Sequence, residues 1–466
     1  MRIYFMKTTF GLFCVLFMAA FTLSAQEMSK DKYYKMMADS LVKSAMTEQR
    51  GFRSLGDLCK IGPRLSGSVN SLKAINWAVE KMKGLGLDSV WRQPVMVPHW
   101  ERGKVESAVI VSSKKFKGKS LSIASLGGSI GTDLKNGIIA EVIEINSWVE
   151  LNEKKNQVKD KIVFYNIPFD HSFPAAFPAY GKNVGYRFRG AAEAAKCGAK
   201  GMILRSISSR NDNVPHVGVM QYADSVPQIP AAAIGIQDAD FLSEALKNDS
   251  KLKIQLKLSC KTLPDVQSYN VIGELKGTEF PDEVLVVGGH FDSWDKGDGA
   301  HDDAAGCMQS LEVLDLFKRL QMKPKRTIRC VFFINEENGS RGGIAYGKYA
   351  DSSNEKHLTA IESDRGAFTP VGFLVDKDSA SFIKISSWGK ILERAGIHWV
   401  KQGGSGVDVS YIKNAKCLIG YVPDSQRYFD YHHSANDVFS EVNPREFELG
   451  SAAMAVLVFL IDWEGL

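Results

Sequence analysis

Apolar and polar residues change rhythm twice along the chain. In the first part, residues 29–48 and 68–85 read as helices. In the second of these, Leu72, Ile75, Ala78, Val79 and Met82 recur at helical spacing, with Ser68 as N-cap and Gly84 and Gly86 closing it. The turn-rich segment 61–68 lies between them, and 90–97 and 105–111 read as strands. From about residue 120, short apolar runs dominate: 137–143, 161–166, 201–204 and 229–234, with an Ala-rich helix over 190–197. Segment 167–187, with Pro168, Pro174 and Pro178, shows no period and reads as a loop; His171 and His216 read as surface or loop histidines. After Lys261, strands at 283–289, 327–335, 358–363 and 417–422 alternate with helices at 302–320, 341–350, 379–394 and 445–463. This alternation predicts an α/β fold, a mostly parallel mixed sheet with helices on both faces. Ligands of such sheets bind outside the carboxyl ends of the strands.

The 466 residues are enough for two domains, and 24% charged residues with a net charge of +5 are ordinary. The charge is too small and too scattered for nucleic-acid binding. Residues 1–25 carry Arg2 and Lys7, an apolar stretch and then Leu23-Ser24-Ala25, which reads as a cleaved export signal. The stretch is short for a membrane span, so no stable membrane insertion is expected after cleavage, and the location is periplasmic or extracellular. Cys59, Cys197, Cys260, Cys307, Cys330 and Cys417 form no Cys-x-x-Cys, and no disulfide pairing follows from the sequence.

The strand ends carry the chemistry. The first delivers His290 and Asp292, ahead of a glycine-rich turn and the acidic pair Asp302-Asp303. The second ends at Glu336-Glu337, the third at Glu362-Ser363-Asp364, and beyond the fourth lies His432-His433-Ser434. Imidazoles and carboxylates gathered on one rim suit zinc. Adjacent acids on an extended segment point opposite ways, so one of Glu336 and Glu337 can bind metal while the other faces substrate as a base.

With these motifs in place, residues 261–466 resemble the co-catalytic zinc aminopeptidase family, in its plasma glutamate carboxypeptidase (carboxypeptidase Q) branch. The middle block resembles a protease-associated domain in 159–163, 192–201 and 229–234. After the export signal read over 1–25, the resemblance implies an N-terminal part of the catalytic domain over 26–120, a mainly-β protease-associated insert over 121–260 and the metallopeptidase domain over 261–466. It implies two zinc ions, one held by His290, Asp302 and Asp364 and the other by Asp302, Glu337 and His433. Glu336 would be the general base and Asp292 would orient His290, with His432 a neighbour of the ligand and the Asp302–Asp303 bond cis. Gly404, Ser405 and Asp408 are expected to bind substrate, since glycines permit close approach. The implied activity is hydrolysis of short peptides or dipeptides, with a homodimer among the expected assemblies. The rivals are a single-zinc glutaminyl-cyclase-like acyl transferase, an aminoacylase-type hydrolase and a non-catalytic scaffold.

Overall fold

The computed structural model describes residues 29–466; the export signal read over 1–25 lies outside them. Sixteen strands form two eight-stranded sheets among the described residues. In chain order they are β1 (Ser89–Glu101), β2 (Glu106–Ser112), β3 (Ser120–Leu121), β4 (Ile123–Ser125), β5 (Ile138–Ile145), β6 (Ile162–Tyr165), β7 (Gly201–Arg205) and β8 (Ala231–Ile234). They continue as β9 (Lys253–Leu258), β10 (Lys261–Leu275), β11 (Phe280–His290), β12 (Arg326–Phe333), β13 (Lys356–Glu362), β14 (Pro370–Asp376), β15 (Trp399–Gln402) and β16 (Cys417–Pro423).

The first sheet runs β1-β10-β12-β11-β13-β16-β14-β15. Its centre, β12-β11-β13-β16, is parallel, while β1, β10 and the β14–β16 pairing are antiparallel. Strand β11 shows why the centre is buried on both sides. Leu285 and Val287 face the core built with helices Val69–Gly84, Ala305–Arg319 and Pro444–Glu464. Val284 and Val286 face the other core, with Tyr346 and Ala350 of helix Arg341–Ser352. A continuous apolar run is what a strand covered on both faces requires. Helix Pro444–Glu464 starts with proline in its first turn and an Asn443 cap, and is apolar nearly all round because it is enclosed. No described helix is long and apolar enough to cross a membrane.

The second sheet runs β3-β2-β9-β5-β6-β7-β8-β4. It reaches back to Glu106, earlier than the boundary at 121 expected from sequence. It carries helices Ala176–Lys196 and Ile236–Asn248, more helix than a mainly-β reading expects. The first of these replaces the loop expected over 167–187. Pro178 falls in its first turn, where a missing N–H costs nothing. Its aromatics are spent on tertiary contacts, Phe177 and Tyr180 packing on Phe429 with ring centroids 5.0 and 4.5 Å away, so no simple amphipathic period shows. The expected helix over 379–394 is broken into Ser379–Ser387 and Gly389–Leu392. His216, expected near the surface, is buried. The six described cysteines are all unpaired.

Candidate metal centre

The site sits where the strand rule places it, at the carboxyl ends of β11, β12 and β13. His290 is the last residue of β11 and wholly buried. Its Nδ1 lies 3.0 Å from the carbonyl oxygen of Asp292, so Nδ1–H donates there and Nε2 is left free to ligate. The Asp292 carboxylate lies 4.0 Å from Nδ1 and has other work. It accepts from the Glu336 amide at 3.0 Å and from the Ser66 hydroxyl at 3.0 Å. Asp292 therefore orients His290 through its backbone, and its side chain ties the ends of β11 and β12 together.

The chain from Ala300 to Ala304 makes a wide turn, and the regular helix begins only at Ala305, later than the start near Asp302 expected from sequence. The Asp302–Asp303 bond is cis, as the resemblance implies. Two acids of opposite duty follow. Asp303 accepts from the His290 amide and the Gly306 amide, both at 3.0 Å, locking the strand end to the helix start. Gly306 has no room for a side chain, since a Cβ there would lie 1.9 Å from the Ser363 carbonyl oxygen. Asp302 points its two oxygens in different directions. Oδ1 lies 3.1 Å from His290 Nε2, and Oδ2 lies 3.3 Å from His433 Nε2. Asp364 joins the first group, its Oδ1 3.6 Å from His290 Nε2. Glu337 joins the second, its Oε2 2.9 Å from His433 Nε2. His432 Nε2 is 3.8 Å from Asp302 Oδ2, and its ring stacks on His433 and packs among Tyr180, Tyr428 and Phe429.

Glu336 and Glu337 follow β12 in a turn, since Asn335 takes a positive φ of 70° and ends the extended run early. Their divergence thus comes from the turn rather than from strand alternation. Burial, followed by the Asp302 charge, raises Glu337 well above the usual carboxylate range. Burial pushes Glu336 up to about 8, with Asp364, Asp292 and Asp302 adding to it against the pull of His290. Burial opposes ionisation of Asp302 too, yet the bond with His290 and the charge of His433 hold it well below. Asp302 Oδ2 and Glu337 Oε1 are buried with no hydrogen-bond partner. Acids crowded together with orphaned oxygens, facing imidazole Nε2 atoms, are a donor set that fits divalent cations.

A cleft of about 490 Å³ opens beside Asp364 and is lined by Gly404 and Ser405 among others. Asp408, expected with them, does not face it: the carboxylate is wholly buried near Gly343, because the short turn Val409–Tyr411 draws it inward. Four supports escaped the sequence reading. Asp437 accepts from the amides of His301 and Asp302, at 2.7 and 3.1 Å, and so aims Asp302. Arg64 is fully buried and donates to the carbonyls of Phe291, Asp298 and Gly299, bracing the glycine-rich turn. Val217 and Arg187, both from the segment that carries the second sheet, meet His433: the Val217 amide donates to the His433 carbonyl at 2.8 Å, His433 Nδ1–H donates to the Val217 carbonyl at 3.2 Å and so leaves Nε2 free to ligate, and Arg187 Nη1 donates to the same carbonyl at 3.5 Å. Asn436-Asp437, just after the His-His-Ser run, was a visible signal; a lone Arg64 in a turn gave none.

The peptidase family M28 model matches residues 270–458. Carboxypeptidase Q of Rattus norvegicus is 38% identical over 436 residues, 92% of this chain and 89% of that protein. The crystal structure of a peptidase M28 precursor from Shewanella amazonensis SB2B is 34% identical with a TM-score of 0.89, over 94% of this chain and 98% of that one. A zinc aminopeptidase from Bacillus subtilis shares the fold at 20% identity and a TM-score of 0.62, over 87% of this chain and 93% of its own. At this identity over nearly the whole of both chains, the chain belongs to peptidase family M28 and is a hydrolase of peptide bonds.

Proposed function

We propose that this chain, a zinc-dependent peptidase of family M28, is an exported di-zinc exopeptidase that cleaves short peptides and dipeptides. The observation that carries the two-metal reading is Asp302, whose two oxygens face different histidines at 3.1 and 3.3 Å. His290, Asp302 and Asp364 would hold one ion, and Asp302, Glu337 and His433 the other. His432 also comes within reach, since Asp302, His432 and His433 offer ligand atoms within 4.8 Å of one another; Glu337 takes precedence because it brings a buried carboxylate oxygen with no hydrogen-bond partner, while the His432 ring packs among Tyr180, Tyr428 and Phe429. Zinc bound there supplies Lewis acidity toward a peptide carbonyl and lowers the pKa of water.

Glu336 is the group left to move protons. It has no ligand contact to either histidine, its backbone is fixed by Asp292, and burial favours its holding a proton. It takes a proton from the attacking water and delivers it to the leaving amine. The inserted domain is read as a protease-associated domain that walls the site. Residues 1–25 support export.

Metal analysis with a dipeptide panel tests the reading. About two zinc ions per chain and hydrolysis of free dipeptides are expected. Full activity at one zinc would overturn the bridged centre. Cyclisation of an N-terminal glutaminyl dipeptide without hydrolysis would favour the acyl-transferase alternative, preference for N-blocked substrates the aminoacylase one, and zinc binding without turnover of any substrate the scaffold.

A further inference from the structure

The cleft beside Asp364 is lined by Phe177, Asp364, Arg365, Ser405, Leu374 and Tyr421, with Gly404 and Gly406 between them. Arg365 is the one cation in this wall. It is half-buried, and among the described residues its guanidinium has no ion pair and no hydrogen bond, so the acids beside it, Asp364 and Glu362, lie beyond ion-pair distance. Most other half-buried or buried arginines here have acidic partners: Arg102 with Asp295 and Glu106, Arg326 with Glu283, Arg329 with Glu274 and Glu355.

Arg365 is nevertheless held in place. Its guanidinium carbon lies 4.8 Å from the centroid of the Phe177 ring. Phe177 in turn stacks on Tyr428, with centroids 5.6 Å apart and planes 13° from parallel. The backbone is set by Gly366, whose φ of 82° a larger residue would resist, and whose Cβ would strike Phe368 at 2.5 Å. A guanidinium stacked on an aromatic face keeps its N–H fork free, and that fork matches a carboxylate bidentately. A half-desolvated cation with an open fork, next to a candidate metal ligand and across from Ser405, is built to meet a substrate anion.

We propose that Arg365 is a specificity-determining residue that binds a carboxylate of the substrate. Two sources share this chemistry, the terminal carboxylate of a dipeptide and an acidic side chain. The inference rests on the exopeptidase reading above and deepens it by naming an anionic substrate class.

The test uses zinc-loaded protein and three compounds: Ala-Ala, Ala-Ala amide and Ala-Asp amide. Turnover is measured on the wild type, and binding by calorimetry on Glu336→Gln protein, which separates recognition from chemistry. Ala-Ala is expected to bind about ten- to a hundredfold more tightly than its amide. Weak binding of Ala-Asp amide assigns the terminal carboxylate; tight binding assigns the side chain. In an otherwise wild-type background, Arg365→Gln should raise KM for the carboxylate substrate by a similar factor with kcat and thermal stability little changed, and Arg365→Lys should recover part of the loss. Equal binding of all three compounds, or a preference that survives Arg365→Gln, overturns the proposal. Absence of turnover with the binding preference intact would instead overturn the exopeptidase reading alone.

Discussion

The two histidines of the candidate centre are held in opposite ways. His290 is secured by its own domain: the Asp292 carbonyl takes Nδ1–H, and the Asp303 carboxylate takes the backbone amide. His433 is secured from outside, by Val217 of the segment that carries the second sheet, whose carbonyl takes Nδ1–H and also accepts from Arg187 at 3.5 Å. It also sits at a positive φ of 60°, a conformation a non-glycine residue keeps only when its surroundings over-determine it. The lesson is that one half of the centre is a property of the α/β sheet, and the other leans on the segment that carries the second sheet. Gly218 belongs to the same device, since a Cβ there would lie 2.5 Å from the Arg187 guanidinium.

The largest effect should leave both halves standing. Glu336→Gln keeps the hydrogen bond from its amide to Asp292, so fold and zinc content should persist while kcat falls by about 10²–10⁴-fold. Loss of zinc in this variant, seen by metal analysis, would move Glu336 into the ligand set.

Breaking the comparison comes next. Arg187→Met removes a donor from the Val217 carbonyl that takes Nδ1–H of His433, and should weaken one zinc by about 10–100-fold and spare the other, as loss of a group behind a ligand does. A titration with a competing chelator distinguishes this from equal weakening of both ions, which would mean the second-sheet segment supports the whole centre. On the opposite half, Asp303→Asn turns a two-amide acceptor into a group with one acceptor oxygen. One buried amide is orphaned, and stability should fall by about 1–3 kcal/mol in denaturant unfolding. An unchanged midpoint would show that the β11–helix junction does not depend on this carboxylate.

The smallest effect is a pH slope, and it sharpens the contrast between the centre and a distant acid cluster. Burial raises Glu336 to about 8 at the centre, and raises Glu312 to about 8 and Glu448 to about 7 where helices Ala305–Arg319 and Pro444–Glu464 pack together. A carboxyl raised in the folded state binds a proton the unfolded chain has released, so stability falls as pH rises from about 4.5 to about 8. Zinc should flatten only the part owed to the centre. Thermal midpoints of zinc-free and zinc-loaded protein across this range check it. Glu312→Gln should reduce the slope that zinc leaves; an unaltered slope would remove Glu312 as its source.

Much of this molecule was legible because its signals are local. The apolar run of β11, enclosed on both faces, announces a central strand, and alternation with helices after Lys261 announces a largely parallel sheet with chemistry at its carboxyl ends. The strand ends that carry His290, Asp302, Glu336-Glu337, Asp364 and His432-His433 were readable because each follows its own strand or short helix, while the choice of His290, Asp302, Glu337, Asp364 and His433 among them came from the family resemblance; these five do converge, with side-chain atoms 2.9–3.6 Å apart in the pairs that join them. What stayed hidden depends on partners distant in sequence. Helix Ala176–Lys196 was masked because its aromatics answer to Phe429 rather than to a solvent boundary. The inward turn of Asp408, the bracing by Arg64 and the aiming of Asp302 by Asp437 are hydrogen bonds and burial closed across many residues. No periodicity encodes them, because a side chain's partner is chosen by packing after the elements have formed. The sequence alone determined which groups could reach the rim. Only the tertiary structure decided that Val217 of the second-sheet segment holds His433 and that Arg365 faces the cleft without a partner among the described residues.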